Sequence, residues 1–203
     1  MKEKIIVLDT EALGLLKPIV YEVGYVIADT DGKVICKRDY LIKQVYDNEE
    51  LFATAYFANK RDVYNKKIAD GLAKLVYWGY AMKVLASDIE KYGITKIYAY
   101  NSRFDKGAIN YTHEIYPAKC KPTADGIEDI MRYIKPIIST AEYKEFCEAN
   151  GYMTANNRHQ KTAEVVYRYL TNNVDFIEDH MAVEDCLIEL EILLKSLERA
   201  LGD

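Results

Sequence analysis

Cysteine, histidine, proline and glycine are all scarce in this chain. The four cysteines (Cys36, Cys120, Cys147, Cys186) stand far apart and form no CxxC pair. That speaks against a zinc site and a disulfide framework, and it leads us to expect a reducing, cytoplasmic setting. Only 4 prolines and 10 glycines occur in 203 residues, half of which are hydrophobic, so an ordered globule is expected rather than a low-complexity chain. No apolar run approaches membrane-spanning length. Met1-Lys2-Glu3-Lys4 leads directly into a strand, with no signal-peptide core, so no membrane partner is expected. Positive charge is not in excess either: the net charge is -5. A protein that coats nucleic acid nonspecifically is usually basic. An acidic balance leaves room for end-directed or metal-dependent binding, because metal ions reverse the sign of their carboxylate ligands locally. There is no internal repeat, and the length suits one domain over 1–203. Tyrosine is abundant, with 18 residues; packing explains that as well as base stacking does.

What is present starts with Ile5-Ile6-Val7-Leu8-Asp9-Thr10-Glu11. Four apolar residues in a row read as a strand buried on both faces, in the middle of a sheet. Strand periodicity points Asp9 and Glu11 the same way. Two like charges on one face repel, and a divalent cation between them would relieve this; a turn with two solvated acids is the alternative. Ala12 to Pro18 is a loop with exposed-looking leucines that need either core or ligand. Ile19–Ala28 and Lys33–Ile42 read as strands joined by a tight turn at Asp31-Gly32. The chain thus opens with a three-strand meander.

From 48 to 92 the period becomes helical, with Ile68, Leu72, Leu75, Gly79, Met82 and Ile89 as a stripe over the sheet. Trp78 reads as core. Lys60, Arg61, Lys66 and Lys67 form a basic cluster, either a solvated helix face or a phosphate contact. Lys96–Asn101 is a further strand, so Asp105 follows a strand end as Asp9 does. A loop over Lys119–Gly126 contains Pro122, a short strand is expected at 126–130, and helices at 141–149 and 162–170. The polar stretch 156–161 holds His159, a phosphate contact or an ordinary loop residue. The last segment is a strong helix with Leu187, Leu190, Leu194, Leu197 and Leu201 on one stripe, and Asp185 on an otherwise apolar face. A lone buried carboxylate is costly unless it is paired or metal-bound. Asp179 fits a helix N-cap just ahead of His180.

Four acids, Asp9, Glu11, Asp105 and Asp185, and one histidine, His180, therefore stand out by context. Such a set fits a two-metal phosphodiester hydrolase. Mg²⁺ or Mn²⁺ takes hard oxygen ligands, and two ions ~4 Å apart clamp the attacking and leaving oxygens. A neutral His takes a proton from the attacking water, so activity should fall in acid.

The ordered motifs Asp9-Thr10-Glu11-Ala12-Leu13-Gly14, Glu22-Val23-Gly24, Asn101-Ser102-Arg103-Phe104-Asp105 and His180-Met181-Ala182-Val183-Glu184-Asp185 span nearly the whole chain. In this it resembles the DEDDh exonuclease family, which includes the proofreading subunit of bacterial replicative DNA polymerase. The resemblance implies an α/β ribonuclease H-like fold: a mixed sheet, with a three-strand antiparallel meander plus parallel strands, flanked by helices. It implies two divalent cations, Mg²⁺ or Mn²⁺, held by Asp9, Glu11, Asp105 and Asp185, with His180 as general base. It also implies 3′–5′ removal of nucleoside 5′-monophosphates from a single-stranded end. By position, Thr10 would meet the 3′-hydroxyl and Leu13 the last base, with Phe104 and Asn101 flanking the terminal nucleotides. DNA is slightly favoured as substrate. An exoribonuclease or oligoribonuclease is the alternative, since the same site serves either chemistry, and a non-catalytic module docked on a DNA polymerase comes third. The stretches 48–92 and 135–176 depart from the compact proofreading members.

Overall fold

The computed structural model describes residues 2–120 and 126–202. Strand β1 (Lys4–Leu13) pairs antiparallel with β2 (Ile19–Asp29), and β2 with β3 (Val34–Ile42). β4 (Lys74–Val76) runs parallel to β3, β5 (Lys96–Ala99) parallel to β1, and β6 (Ile127–Asp129) parallel to β5. Among the described residues this gives one six-stranded sheet in the order β4-β3-β2-β1-β5-β6.

The central place of β1 follows from its sequence. Ile6 and Leu8 enter the core on one face, with Trp78, Met82 and Leu85 of α4 (Trp78–Tyr92) and Ala108 and Ile109 of α5 (Arg103–Ile115). Ile5 and Val7 enter the core on the other face, with Cys186, Leu190, Ile192 and Leu193 of α9 (Ala182–Gly202). Each fully buried aliphatic side chain is worth about 1.5–3 kcal/mol, so an alternating two-sided burial pins this strand in register. Continuing the alternation puts Asp9 and Glu11 on the α9 face and Thr10 on the α5 face.

Between β3 and β4 the chain forms α1 (Lys43–Tyr46), α2 (Glu49–Phe52), a 3₁₀ turn at Ala58–Lys60 and α3 (Arg61–Ala69). The helical stripe expected over 48–92 is thus interrupted. Gly71, at φ +73°, ends α3 and turns the chain into the edge strand β4, which takes Leu75, while Leu72 is exposed. The basic cluster also divides. Lys66 is exposed, but Lys67 is buried within ion-pair reach of Asp39, Glu184 (2.9 Å) and Glu22 (3.6 Å). After β6 come α6 (Met131–Ile138), α7 (Ala141–Ala149) and α8 (Ala163–Thr171), which pack with α9 on the Ile5/Val7 face. Thr140 and Thr162 accept the capping N–H bonds of α7 and α8. The expected loop around Pro122 lies largely outside the described residues, as does the side chain of Leu201. No helix among the described residues is long and apolar enough to cross a membrane.

The start of α9 rests on β2 through two residues of the Glu22-Val23-Gly24 segment. Glu22 Oε2 accepts the N–H of Ala182 (3.3 Å) and the hydroxyl of Tyr64 (3.0 Å). A Cβ on Gly24 would lie 2.6 Å from Ala182 C and Val183 N, so the helix backbone fits only against a glycine. Gly24→Ala should therefore push the start of α9 off the sheet and cost about 1–3 kcal/mol of stability, read as a lower urea midpoint at unchanged slope.

Candidate active site

The two chain segments that carry acids to the α9 face meet at the end of β1. One carboxylate oxygen each from Asp9, Glu11 and Asp185 lie within 4.8 Å of one another. Asp185 sits in the first turn of α9, and its Oδ1 is buried with no hydrogen-bond partner. Asp105 approaches from the first turn of α5. Its Oδ1 accepts from the Thr10 N–H (3.1 Å) and the Thr10 hydroxyl (2.9 Å). Asp105 is close enough that its charge helps to raise the pKa of Asp9.

His180 lies in the non-helical segment before α9, at φ +48°. That left-handed conformation is uncommon for a residue with a side chain. Its ring stacks on Phe57 with centroids 4.9 Å apart and planes at 16°. Lys60 lies over the other aromatic partner, 4.2 Å from the Phe57 centroid, and its ammonium donates to the carbonyls of Asp179 and His180. The 3₁₀ turn thereby holds the imidazole from one side. On the other, Glu178 Oε2 lies 3.6 Å from His180 Nδ1, and Glu178, His180 and Asp185 form a second group of donors within 4.8 Å. Asp179 does not cap the helix as the sequence suggested: α9 begins at Ala182, and its leading N–H goes to Glu22.

Two further acids belong to this neighbourhood. Glu178 was hidden in the run Glu178-Asp179-His180, where nothing local distinguishes it. Glu189 is buried, accepts the Tyr100 N–H (3.2 Å), and is the foremost of the neighbouring charges that raise the pKa of Asp9. Its signal was legible, since it lies one helical turn beyond Asp185.

Burial and mutual repulsion make this a site in need of positive charge. Burial pushes Glu11, Asp105 and Glu178 up to about 7 and Asp185 to about 8. Asp9 is held well above the ordinary carboxylate range by burial and then by the charges of Glu189, Asp105, Glu11 and Asp185, and Glu189 by burial and then by Asp105 and Asp185. Lys60 counteracts part of this at Glu11, Glu178 and Asp185. Burial, then Lys60, lowers the pKa of His180, which keeps the ring neutral at pH 7. An all-oxygen carboxylate set with an orphaned buried oxygen suits a hard divalent cation. Asp9, Glu11 and Asp185 are the residues that could hold it, with Asp105 beside them.

A carboxyl group with a raised folded pKa binds more protons folded than unfolded, so metal-free stability should fall as pH rises through the window from about 4 to 8. The melting temperature without metal should therefore be higher near pH 5.5 than near pH 8, by several degrees at ~2–4 °C per kcal/mol. Added Mg²⁺ should raise it most at the upper pH. A metal-free melting temperature that drops steadily on acidification from pH 8 would contradict this electrostatic account.

No family model matches the chain, and no curated protein does. Solved structures do match. The exonuclease I of Methylocaldum szegediense shares the fold. Its TM-score is 0.62 at 12% identity, over 97% of this chain and 41% of that one. A second structure, of apo exonuclease I, gives a TM-score of 0.54 at 14% identity over 95% of this chain and 41% of the other. The sheet and its flanking helices are thus those of the ribonuclease H-like exonuclease fold, and the chain spans 41% of the length of each of these exonucleases.

Between the loop after β1 and the start of α5 lies a cleft of about 390 Å³ lined by Leu15, Leu16, Pro18, Asn101, Arg103, Phe104 and Gly107. It brings together two of the residues expected to flank a strand end, Asn101 and Phe104. Leu13 is elsewhere: it is 5% exposed and belongs to the core, whereas Leu15 and Leu16 are 84% and 98% exposed. Leu13 ends β1, so its inward direction is set by the strand, while the two leucines beyond the positive-φ Gly14 turn outward. The Thr10 side chain is also buried, its hydroxyl committed to Asp105.

Proposed function

We propose that the chain is a metal-dependent 3′–5′ exonuclease acting on single-stranded nucleic acid, with DNA the first substrate to test and RNA the alternative. The observation that carries this reading is the convergence of carboxylate oxygens of Asp9, Glu11 and Asp185 within 4.8 Å, with His180 grouped with the same Asp185 and the charge of Asp105 felt at Asp9. The exonuclease fold and its named relatives support the same reading. The whole described chain then serves as one catalytic unit, and a polymerase partner is no part of the proposal.

Asp9, Glu11, Asp105 and Asp185 would hold two Mg²⁺ or Mn²⁺ ions. When bound, such ions neutralise the four carboxylates and supply Lewis-acid stabilisation to the reacting phosphodiester. His180 removes the proton from the attacking water, for which its lowered pKa keeps it ready. Glu178 faces Nδ1 and favours the tautomer that leaves Nε2 as the acceptor. The P–O3′ bond breaks, the 3′ oxygen stays with the shortened strand and takes up a proton, and a nucleoside 5′-monophosphate leaves. The exposed Leu15 and Leu16, with Phe104, flank the terminal base, the role that sequence alone gave to Leu13. Thr10 orients Asp105.

End-labelled single strands test the polarity. With Mg²⁺ or Mn²⁺, a 5′-labelled oligomer should give a descending ladder and a 3′-labelled one should give labelled mononucleotide at once. Internal fragments from both labels, or no cleavage of any DNA or RNA oligomer, would sink the reading.

A further inference from the structure

A second concave surface lies on the side of the molecule built by α6, α7 and the polar turn before α8. This cleft, of about 630 Å³, is lined by Ile138, Ser139, Lys144, Thr154, Asn157, Arg158, His159 and Lys161. Three of these are cations and none is a carboxylate, in a chain whose net charge is -5. Among the described residues, Lys144, Arg158 and Lys161 make no ion pair, whereas His159 Nε2 lies 3.1 Å from Glu148 Oε1 and is thereby occupied. No aromatic ring besides that imidazole lines the cleft, so it offers charge and hydrogen bonds rather than stacking.

Lys144 comes from α7, and the turn that carries Arg158 and Lys161 is held by hydrogen bonds. Met153 and His159 form a β-bridge, Thr154 N–H donates to the Arg158 carbonyl (2.7 Å), and Asn157 takes the left-handed conformation the turn requires (φ +54°). Two tyrosine hydroxyls anchor its far end: Tyr143 donates to the Gln160 carbonyl (2.8 Å) and Tyr100 to the Lys161 carbonyl (2.6 Å). Tyr100 is the same residue whose N–H donates to Glu189 and which precedes Asn101 of the acidic site. The next residue, Thr162, caps α8, whose Glu164 accepts the Glu178 N–H. The basic turn and the acidic site are thus braced by the same two short stretches of chain.

We propose that this cleft is a phosphate-binding subsite for the backbone of the single strand whose 3′ end occupies the acidic site. Lys144, Arg158 and Lys161 pair with successive phosphates without reading bases, which fits a binding mode that tolerates sequence. The subsite gives the enzyme a preference for long strands over short ones. This rests on the exonuclease reading, and it is tested in a way that separates the two.

The variant Lys144→Glu/Arg158→Glu changes exposed side chains only. Two readouts are needed. The first is Mg²⁺-dependent hydrolysis of a dinucleotide and of an oligomer of about 20 nucleotides, longer than the ~4–16 a single-strand site spans. The variant should lose about 10- to 100-fold in kcat/KM on the long oligomer and be unchanged on the dinucleotide. The second is fluorescence anisotropy of the same labelled oligomer in EDTA, which needs no catalysis. Wild-type affinity should fall with salt, and the variant should bind more weakly with a log–log slope shallower by ~0.7 for each phosphate contact removed. Equal losses on both substrates, or unchanged anisotropy and slope, overturn the subsite. If the wild type cleaves nothing, the exonuclease reading falls, and the anisotropy still decides the subsite.

Discussion

Asp185→Asn should cost about 10³-fold or more in kcat/KM on single-stranded oligomers, roughly 4 kcal/mol of transition-state stabilisation, while making the metal-free protein more stable. The two effects have one cause. Asp185 is held in the first turn of α9 with one oxygen buried and unpartnered, next to Glu178 and Glu11, and burial raises its pKa to about 8. Above the ordinary carboxylate range its ionisation works against folding, so at about pH 8 the neutral amide removes a penalty. In the proposed metal-loaded enzyme the same carboxylate would be a ligand, and an amide would be a far weaker one. A thermal melt in EDTA beside a rate measurement in Mg²⁺ reads both effects. A variant that loses stability and activity together would point to a structural Asp185 instead.

His180→Ala should lower kcat by about 10²- to 10⁴-fold, the usual contribution of a positioned general base. The residues that hold the ring make a companion variant more informative. Phe57 stacks on it and Lys60 opposes its protonation. Removing the ammonium with Lys60→Ala should raise the imidazole pKa and move the acid limb of the kcat/KM profile to higher pH, with the plateau less affected than in His180→Ala. An acid limb that stays in place, or moves to lower pH, would mean that His180 is not the group being titrated.

The residues that made the site readable from sequence were those in conflict with their surroundings. Asp9 and Glu11 end an apolar strand, Asp185 interrupts an apolar helix face, and Asp105 follows a strand end; a carboxylate is a poor local choice at each. β1 was legible because two-sided burial leaves an unbroken apolar run, and the meander because Asp31-Gly32 marks its turn. Other features depend on contacts that no local pattern encodes. β4 has only three residues and pairs at the sheet edge, so its Leu75 was absorbed into a helical stripe. Lys67 looks solvated until Asp39, Glu22 and Glu184 from three other elements surround it. Leu13 and Leu15 are two residues apart and indistinguishable by type; where β1 ends decides which one is buried. The Phe57–Lys60 support for His180 comes from a segment far away in the chain, and nothing in the local run marks Glu178, two residues before His180, as its neighbour.

In the proposed reaction these carboxylates and His180 together hydrolyse the end of a strand with the help of divalent cations. The most direct measurement is mononucleotide release from paired DNA and RNA oligomers of one sequence, with Mg²⁺ or with EDTA, by the wild type and His180→Ala. Expected are stepwise release of nucleoside 5′-monophosphates by the wild type with Mg²⁺, none with EDTA, and a loss of about 10²-fold or more in the variant. Release that persists in EDTA, or a His180→Ala variant as fast as the wild type, would contradict the proposed reaction.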